Sequence, residues 1–149
     1  MKSKPRSGFE RLLRVSSVEE TRAKALAGQA QRQLRDAGHT RDRAEQNLQA
    51  CDTARRHSTD GGILDLNRYL QLTELTQAAA QHLAVCDSEF VECRQQLEHA
   101  LGELNRQSQR RQKTEQRHQE RSDALRNLAL GKLDAEAVDG WQNALRRPT

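Results

Sequence analysis

The sequence predicts an all-α protein built as a long antiparallel two-helix coiled-coil hairpin. Three observations carry that expectation. Only 34% of the 149 residues are hydrophobic and 3% aromatic, against 31% charged, with two Phe, one Tyr and one Trp in total, which is too little for a packed globular interior. The apolar supply is nearly all Leu and Ala, mixed with Arg, Glu and Gln. At a mean hydropathy of −0.99 this blend favours long exposed helices over disorder. Finally, Pro5 and Pro148 stand at the two ends, so no proline interrupts the residues between them.

The first helix is expected from about 9 to 56. Positions 23, 27, 30, 34, 37, 41, 44, 48 and 51 alternate steps of four and three and carry Ala, Ala, Ala, Leu, Ala, Arg, Ala, Leu and Cys. This is the seam of a coiled coil, with Arg41 as its one long polar member. A turn follows at 57–62, where His57-Ser58-Thr59-Asp60-Gly61-Gly62 is polar and glycine-rich.

The second helix is expected from about 63 to 130. Leu66, Tyr69, Thr73, Thr76, Ala80, Leu83, Asp87, Phe90, Arg94, Leu97, Leu101 and Leu104 continue the three-four rhythm. A short turn between helices of this kind makes them antiparallel neighbours. The second helix has more residues than the first can cover, and beyond Leu104 its seam reads Ser108, Arg111, Glu115, His118 and Ser122. Nothing apolar asks for an intramolecular neighbour there. Gly131 and Asp134 predict a bend and a fresh cap, opening a short terminal helix at 134–146.

Charge agrees with the pairing. Residues 1–60 carry 13 basic and 8 acidic side chains, residues 61–100 carry 2 and 6, and residues 101–149 carry 10 and 7. The basic first arm would thus face the acidic start of the second, with Arg22, Lys24, Arg32, Arg35, Arg41 and Arg43 facing the stretch that holds Asp87, Glu89, Glu92 and Glu98.

Several functional classes recede on the same reading. No run of residues reaches a membrane span, and Lys2, Lys4 and Arg6 precede no apolar segment of a secretory signal. A cytoplasmic protein is expected. Cys51, Cys86 and Cys93 are odd in number and read as reduced, small seam residues rather than metal or redox groups. No phosphate-cradling glycine loop, His-Glu-x-x-His or Gly-x-Ser-x-Gly occurs. The expectation is a non-enzymatic protein with no cofactor and no metal.

Two features stand out as partner sites. In the hairpin, Lys2, Lys4, Arg6, Arg11 and Arg14 of the first arm come near Arg106, Arg110, Arg111, Lys113, Arg117 and Arg121 of the second. Cations gathered at one end repel each other and call for an acidic partner. The other feature is Trp141, on one helical face with Val138 and Leu145. It either packs near Phe9, Leu12 and Leu13 or anchors a partner.

The chain resembles the FliJ proteins of the flagellar type III export apparatus and their injectisome relatives, the YscO or SctO stalk proteins. The resemblance rests on Phe9-Glu10-Arg11-Leu12-Leu13-Arg14-Val15, on Ala44-Glu45-Gln46-Asn47-Leu48, on Leu75-Thr76-Gln77-Ala78-Ala79-Ala80-Gln81-His82 and on Leu133-Asp134-Ala135-Glu136-Ala137 with Arg146-Arg147-Pro148. It implies a hairpin similar to the rotor shaft of F-type ATPases. Its terminal end would enter the hexameric export ATPase, through the cations named above, and couple it to the export gate, a membrane protein. It also implies a contact face for export chaperones and the gate, at Gln71, Leu75, Ala78 and His82 on the second helix with Asn47 and Cys51 on the first; Gln71 stands where the family has an aromatic residue. Peripheral association with the inner-membrane export apparatus is the implied location.

The reading from another class is a basic nucleic-acid-binding protein, which the cationic end favours and the absence of aromatic stacking residues among those cations disfavours. A chaperone-like coiled coil is a third.

Overall fold

The computed structural model describes residues 8–147. Lys2, Lys4 and Arg6, expected at the cationic end, and both prolines lie outside the described residues. Two helices account for nearly all of the rest, α1 (Gly8–His57) and α2 (Leu66–Arg146), and no strand occurs among the described residues. The protein is all-α, with its two long helices packed against each other.

The connection is built by local hydrogen bonds. At the end of α1 the Ser58 and Thr59 hydroxyls donate to the carbonyls of Arg55 and Arg56, at 2.6 and 2.7 Å, satisfying acceptors that the helix leaves open. Arg55, Arg56 and His57 place basic groups at the negative end of the helix dipole. Gly62 then takes a φ of 73°, a left-handed turn that glycine makes without steric cost. Asp65 is the N-cap of α2. Its Oδ1 accepts from the backbone N–H groups of Asn67 and Arg68, at 3.1 and 3.3 Å, and its carbonyl accepts from Tyr69 N–H at 3.0 Å. The second helix therefore opens at Leu66 rather than at 63.

At its far end α2 differs from expectation more substantially. It runs through Gly131 and Asp134 without a break and ends at Arg146, so there is no separate helix over 134–146. An interior glycine costs a helix about 1 kcal/mol, less than ending one helix and paying for a second nucleus a turn later. With Leu130, Leu133, Ala135 and Ala137 around it, the helix continues.

The chain divides into two compact units. One is Thr21–Asn105, which holds every buried apolar residue among those described: Ala23, Ala27, Ala30 and Ala44 on α1, Ala79 and Cys86 on α2. Its helices run antiparallel, since Gly38 lies against the Phe90 ring while Arg41, further along α1, reaches back to Asp87, 3.2 Å away. The α1 seam is as read from sequence: all nine positions from Ala23 to Cys51 are buried or half-buried. On α2 Tyr69, Thr73 and Thr76 are half-buried as expected and Leu66 is exposed, while from Ala80 onward every second seam position moves by one residue. Ala79, Cys86, Cys93 and Ala100 turn inward, and Ala80, Asp87, Arg94 and Leu101, expected in the seam, are exposed.

The reason is the size of the facing side chains. Ala23, Ala30, Ala37, Ala44 and Cys51 recur every seventh residue on α1, and Ala79, Cys86, Cys93 and Ala100 do so on α2. In the register that sets Gly38 against Phe90 and Arg41 against Asp87, Ala44 lies across from the region of Leu83, Ala79 from that of Leu48 and Cys93 from that of Leu34, so small positions on one helix make room for the larger Leu34, Leu48, Leu83, Phe90 and Leu97 of the seam, all half-buried. Leu101 and Arg94 would hold the helices apart if they pointed inward. Residues that face each other here carry numbers totalling 128, as Gly38 and Phe90 or Arg41 and Asp87 do. Cys51 is thus brought toward the region of residue 77.

The other unit comprises the described residues of Met1–Glu20 and Arg106–Thr149. Its seam is polar. Phe9, Leu13 and Ser16 are half-buried and Glu20 is buried, facing the half-buried Gln107, Arg111, Thr114 and His118. The pairing of Phe9 with His118, ring centroids 5.9 Å apart, shows that α1 covers α2 as far as residue 118. The uncovered stretch expected beyond Leu104 begins only at residue 119, from where every described residue is exposed.

Candidate partner-binding surface

The terminal unit gathers the expected cations, and helix geometry sorts them. Side chains three and four apart share a face. Arg106, Arg110, Lys113 and Arg117 each precede a seam residue of α2 by one position, so they form a single stripe along one flank of the seam; all four are exposed. Arg106 is already engaged in a side-chain interaction. Arg110, Lys113 and Arg117 make no ion pair among the described residues.

Two cations of the expected set have internal roles instead. Arg111 sits in the seam, where its Nε pairs with Glu20 and its Nη1 donates to Glu115 Oε1 at 2.9 Å. Glu20 is only 6% exposed, and a carboxylate removed from water to that degree requires a cation beside it. Arg121 lays its guanidinium over the Phe9 ring, 5.2 Å from the centroid. Together with His118 and Leu125 these residues line a hollow of about 220 Å³ at the start of α1. The Phe9 staple is therefore made by His118 and Arg121, not by Trp141.

On α1, Arg11 and Arg14 are exposed. Counting around the helix from Phe9 and Leu13 places Arg11 opposite the seam and Arg14 on the flank away from the α2 stripe. The α1 residues that share the stripe's flank are Leu12, Val15 and the half-buried Glu19. Leu12 and Val15 are 56% and 54% exposed. On α2 the other flank is neutral to acidic. Leu13, Gln112, Gln116 and Gln119 line its hollow with Glu115 and His118, and Asp123 accepts from Gln119 at 3.1 Å; Glu120, which continues the cation stripe three residues beyond Arg117, accepts from Gln116 at 3.0 Å.

Trp141 is 66% exposed. It lies twenty residues beyond Arg121 on the same continuous helix, about 30 Å along the axis. Leu130, Leu133, Val138 and Leu145, between 52% and 65% exposed, accompany it. Of the two alternatives for Trp141, packing beside Phe9 is excluded by this distance.

The chaperone and gate set falls in the other unit. Gln71, Leu75, Ala78 and His82 are exposed and lie in one stripe, each preceding a seam residue of α2. Asn47 is exposed and precedes the seam residue Leu48, whereas Cys51 is half-buried within the seam itself. His82 turns toward the seam, its Nε2 3.7 Å from Cys86 Sγ. Further along this flank Ala23, Leu26, Ala30, Gln96, His99 and Glu103 contribute to an apolar cleft of about 310 Å³.

Sequence reasoning missed Glu20 as a functional part of the seam. The signal was present, because continuing the α1 rhythm backward from Ala23 arrives at Glu20, Ser16, Leu13 and Phe9. Among the described residues no helix is long and apolar enough to cross a membrane, and no group of three or more His, Cys, Asp or Glu could hold a metal ion. Comparison with protein-family models, with curated proteins and with solved structures finds no match.

Proposed function

We propose that this protein is a non-catalytic stalk of a flagellar or type III protein export apparatus, binding the hexameric export ATPase by its terminal unit and linking it to the export gate. The exposed stripe Arg110, Lys113 and Arg117 carries the proposal, because these cations lack acidic partners among the described residues and stand on a rigid helix where an acidic surface can neutralise them. The resemblance of Phe9–Val15 and Leu75–His82 to FliJ and YscO proteins supports it, as does the two-helix architecture. The exposed stripe Gln71, Leu75, Ala78 and His82 suits the contact with export chaperones and the gate.

The test is stimulation of the cognate export ATPase by the purified protein. Reversing Arg110, Lys113 and Arg117 to Glu is expected to abolish stimulation while helicity by circular dichroism stays unchanged. Arg111 is left intact in this variant, since it pairs with the buried Glu20 within the seam. Undiminished stimulation by the charge-reversed chain would remove the stalk reading.

A further inference from the structure

The two flanks of the terminal unit are chemically unlike, and that asymmetry restricts what binds there. One flank carries Arg110, Lys113 and Arg117 on α2, with Leu12 and Val15 more than half exposed on α1 beside them. Glu19 on α1 and Glu120, three residues beyond Arg117 on α2, are the acids that share it. The opposite flank offers Gln112, Gln116 and Gln119 with Glu115, and Arg14 on α1. A partner that surrounds both helices would meet a row of cations on one side and mainly glutamines on the other. A partner lying along one side meets a coherent surface.

We propose that the Leu12–Val15 and Arg110–Lys113–Arg117 flank is a docking surface for one acidic amphipathic helix, which packs along the hairpin as a third strand. The partner is a protein helix with apolar residues on one stripe and Asp or Glu beside it. The cations recur at steps of three and four and span seven residues, about 10 Å along the axis, so carboxylates at the same helical steps meet them one to one. Leu12 and Val15 supply the apolar stripe that such a helix covers, each about half of its surface still open to water. A phosphate backbone would satisfy the cations but leave both apolar side chains wet. Nor does this flank hold an aromatic ring on which a base could stack.

This deepens the stalk reading and rests on it only for placing the acidic helix on the export machinery. The experiment uses the full chain and a synthetic three-heptad peptide with Leu at the seam positions and Glu flanking them, with its Gln counterpart and a single-stranded DNA oligonucleotide as comparisons. Binding is followed by fluorescence anisotropy at several salt concentrations. The acidic peptide is expected to bind and its Gln counterpart to bind at least about tenfold more weakly. Leu12→Gln with Val15→Gln, and separately Arg110→Glu with Lys113→Glu and Arg117→Glu, should each weaken the acidic peptide by about tenfold or more. Gln112→Glu with Gln119→Glu, on the opposite flank, should leave it unchanged.

Equal losses from both flanks, or no dependence on Leu12 and Val15, overturn the docking surface. So does oligonucleotide binding as tight as peptide binding, which would make the flank a nucleic-acid site. ATPase stimulation is measured in parallel. Stimulation that survives in the Leu12→Gln, Val15→Gln variant while its peptide binding is lost overturns the flank but not the stalk; peptide binding by the unaltered chain without any stimulation does the reverse.

Discussion

Single residues show how little apolar burial this architecture has and how much depends on correct pairing. Glu20 and Arg111 occupy seam positions that would elsewhere hold Leu, and they pair with each other there. Glu20→Ala alone is expected to lower stability by roughly 1–3 kcal/mol, because it removes one of the two carboxylates that pair with the half-buried Arg111 guanidinium. Glu20→Leu combined with Arg111→Leu should recover that loss or exceed it, since apolar replacement of both members leaves no charge stranded. Thermal melts of the two variants decide this, and a double variant that melts below the single one contradicts the account. The glycines give an opposite pair. At Gly38 a new Cβ would meet Phe90 Cε2 at 3.5 Å, an ordinary contact, so Gly38→Ala should stabilise by about 0.5–1 kcal/mol through helix propensity. Gly62→Ala should destabilise by about 1 kcal/mol, because its φ of 73° is costly for any residue with a Cβ. The contrast is readable in urea midpoints.

At the scale of the element, α1 was legible in full and α2 only in part. The α1 seam from Ala23 to Cys51 follows from sequence because its small residues admit one phase of the three-four rhythm. Along α2 two phases compete. Both share Thr76, Leu83, Phe90, Leu97 and Leu104, and they differ in whether Leu101 or Ala100, Asp87 or Cys86, points inward. Counting apolar residues on α2 by itself favours Leu101. The packing decides for Ala100, because a seam of small residues alternating with larger ones lets the helices approach, and Leu at every seam position would hold them apart. Ala44, 3% exposed, is the place to test this. Ala44→Leu should cost about 1–3 kcal/mol by overpacking, while Ala80→Leu, on the exposed side of α2, should change stability by less than about 0.5 kcal/mol. Equal effects in thermal melts would mean that the column does not set the packing. The end of α2 shows the same limit of local reading, since Gly131 and Asp134 are punctuation only where a helix has a reason to stop.

For the whole molecule, the composition that first excluded a globular core now has an account: a seam of Ala and Cys with a few larger residues meets the requirement of two paired helices. Beyond 118 every described residue is exposed, with Arg121 still laid over the Phe9 ring. Truncation after Arg121 is therefore expected to leave the melting temperature of the remainder within a degree or two of the full chain, corresponding to less than about 0.5 kcal/mol. A large drop would reveal packing by the terminal stretch. In the intact protein Trp141 should emit as a water-exposed indole and be quenched readily by iodide; addition of a partner that uses it would shift the emission and protect it.

By itself the sequence determined the helical class, the hairpin, the α1 seam and the concentration of cations at the terminal end, because each of these follows from residue type and spacing along one helix. The tertiary structure alone decided three further things. It selected the phase of the α2 seam, it extended α1's cover of α2 to His118, and it divided the cations into Arg111 and Arg121, which hold the hairpin, and Arg110, Lys113 and Arg117, which face outward. All three depend on what stands across from a residue. A helix periodicity states which residues share a face, and only the facing helix states whether that face is closed, how closely it is approached, and which of its charges already has a partner.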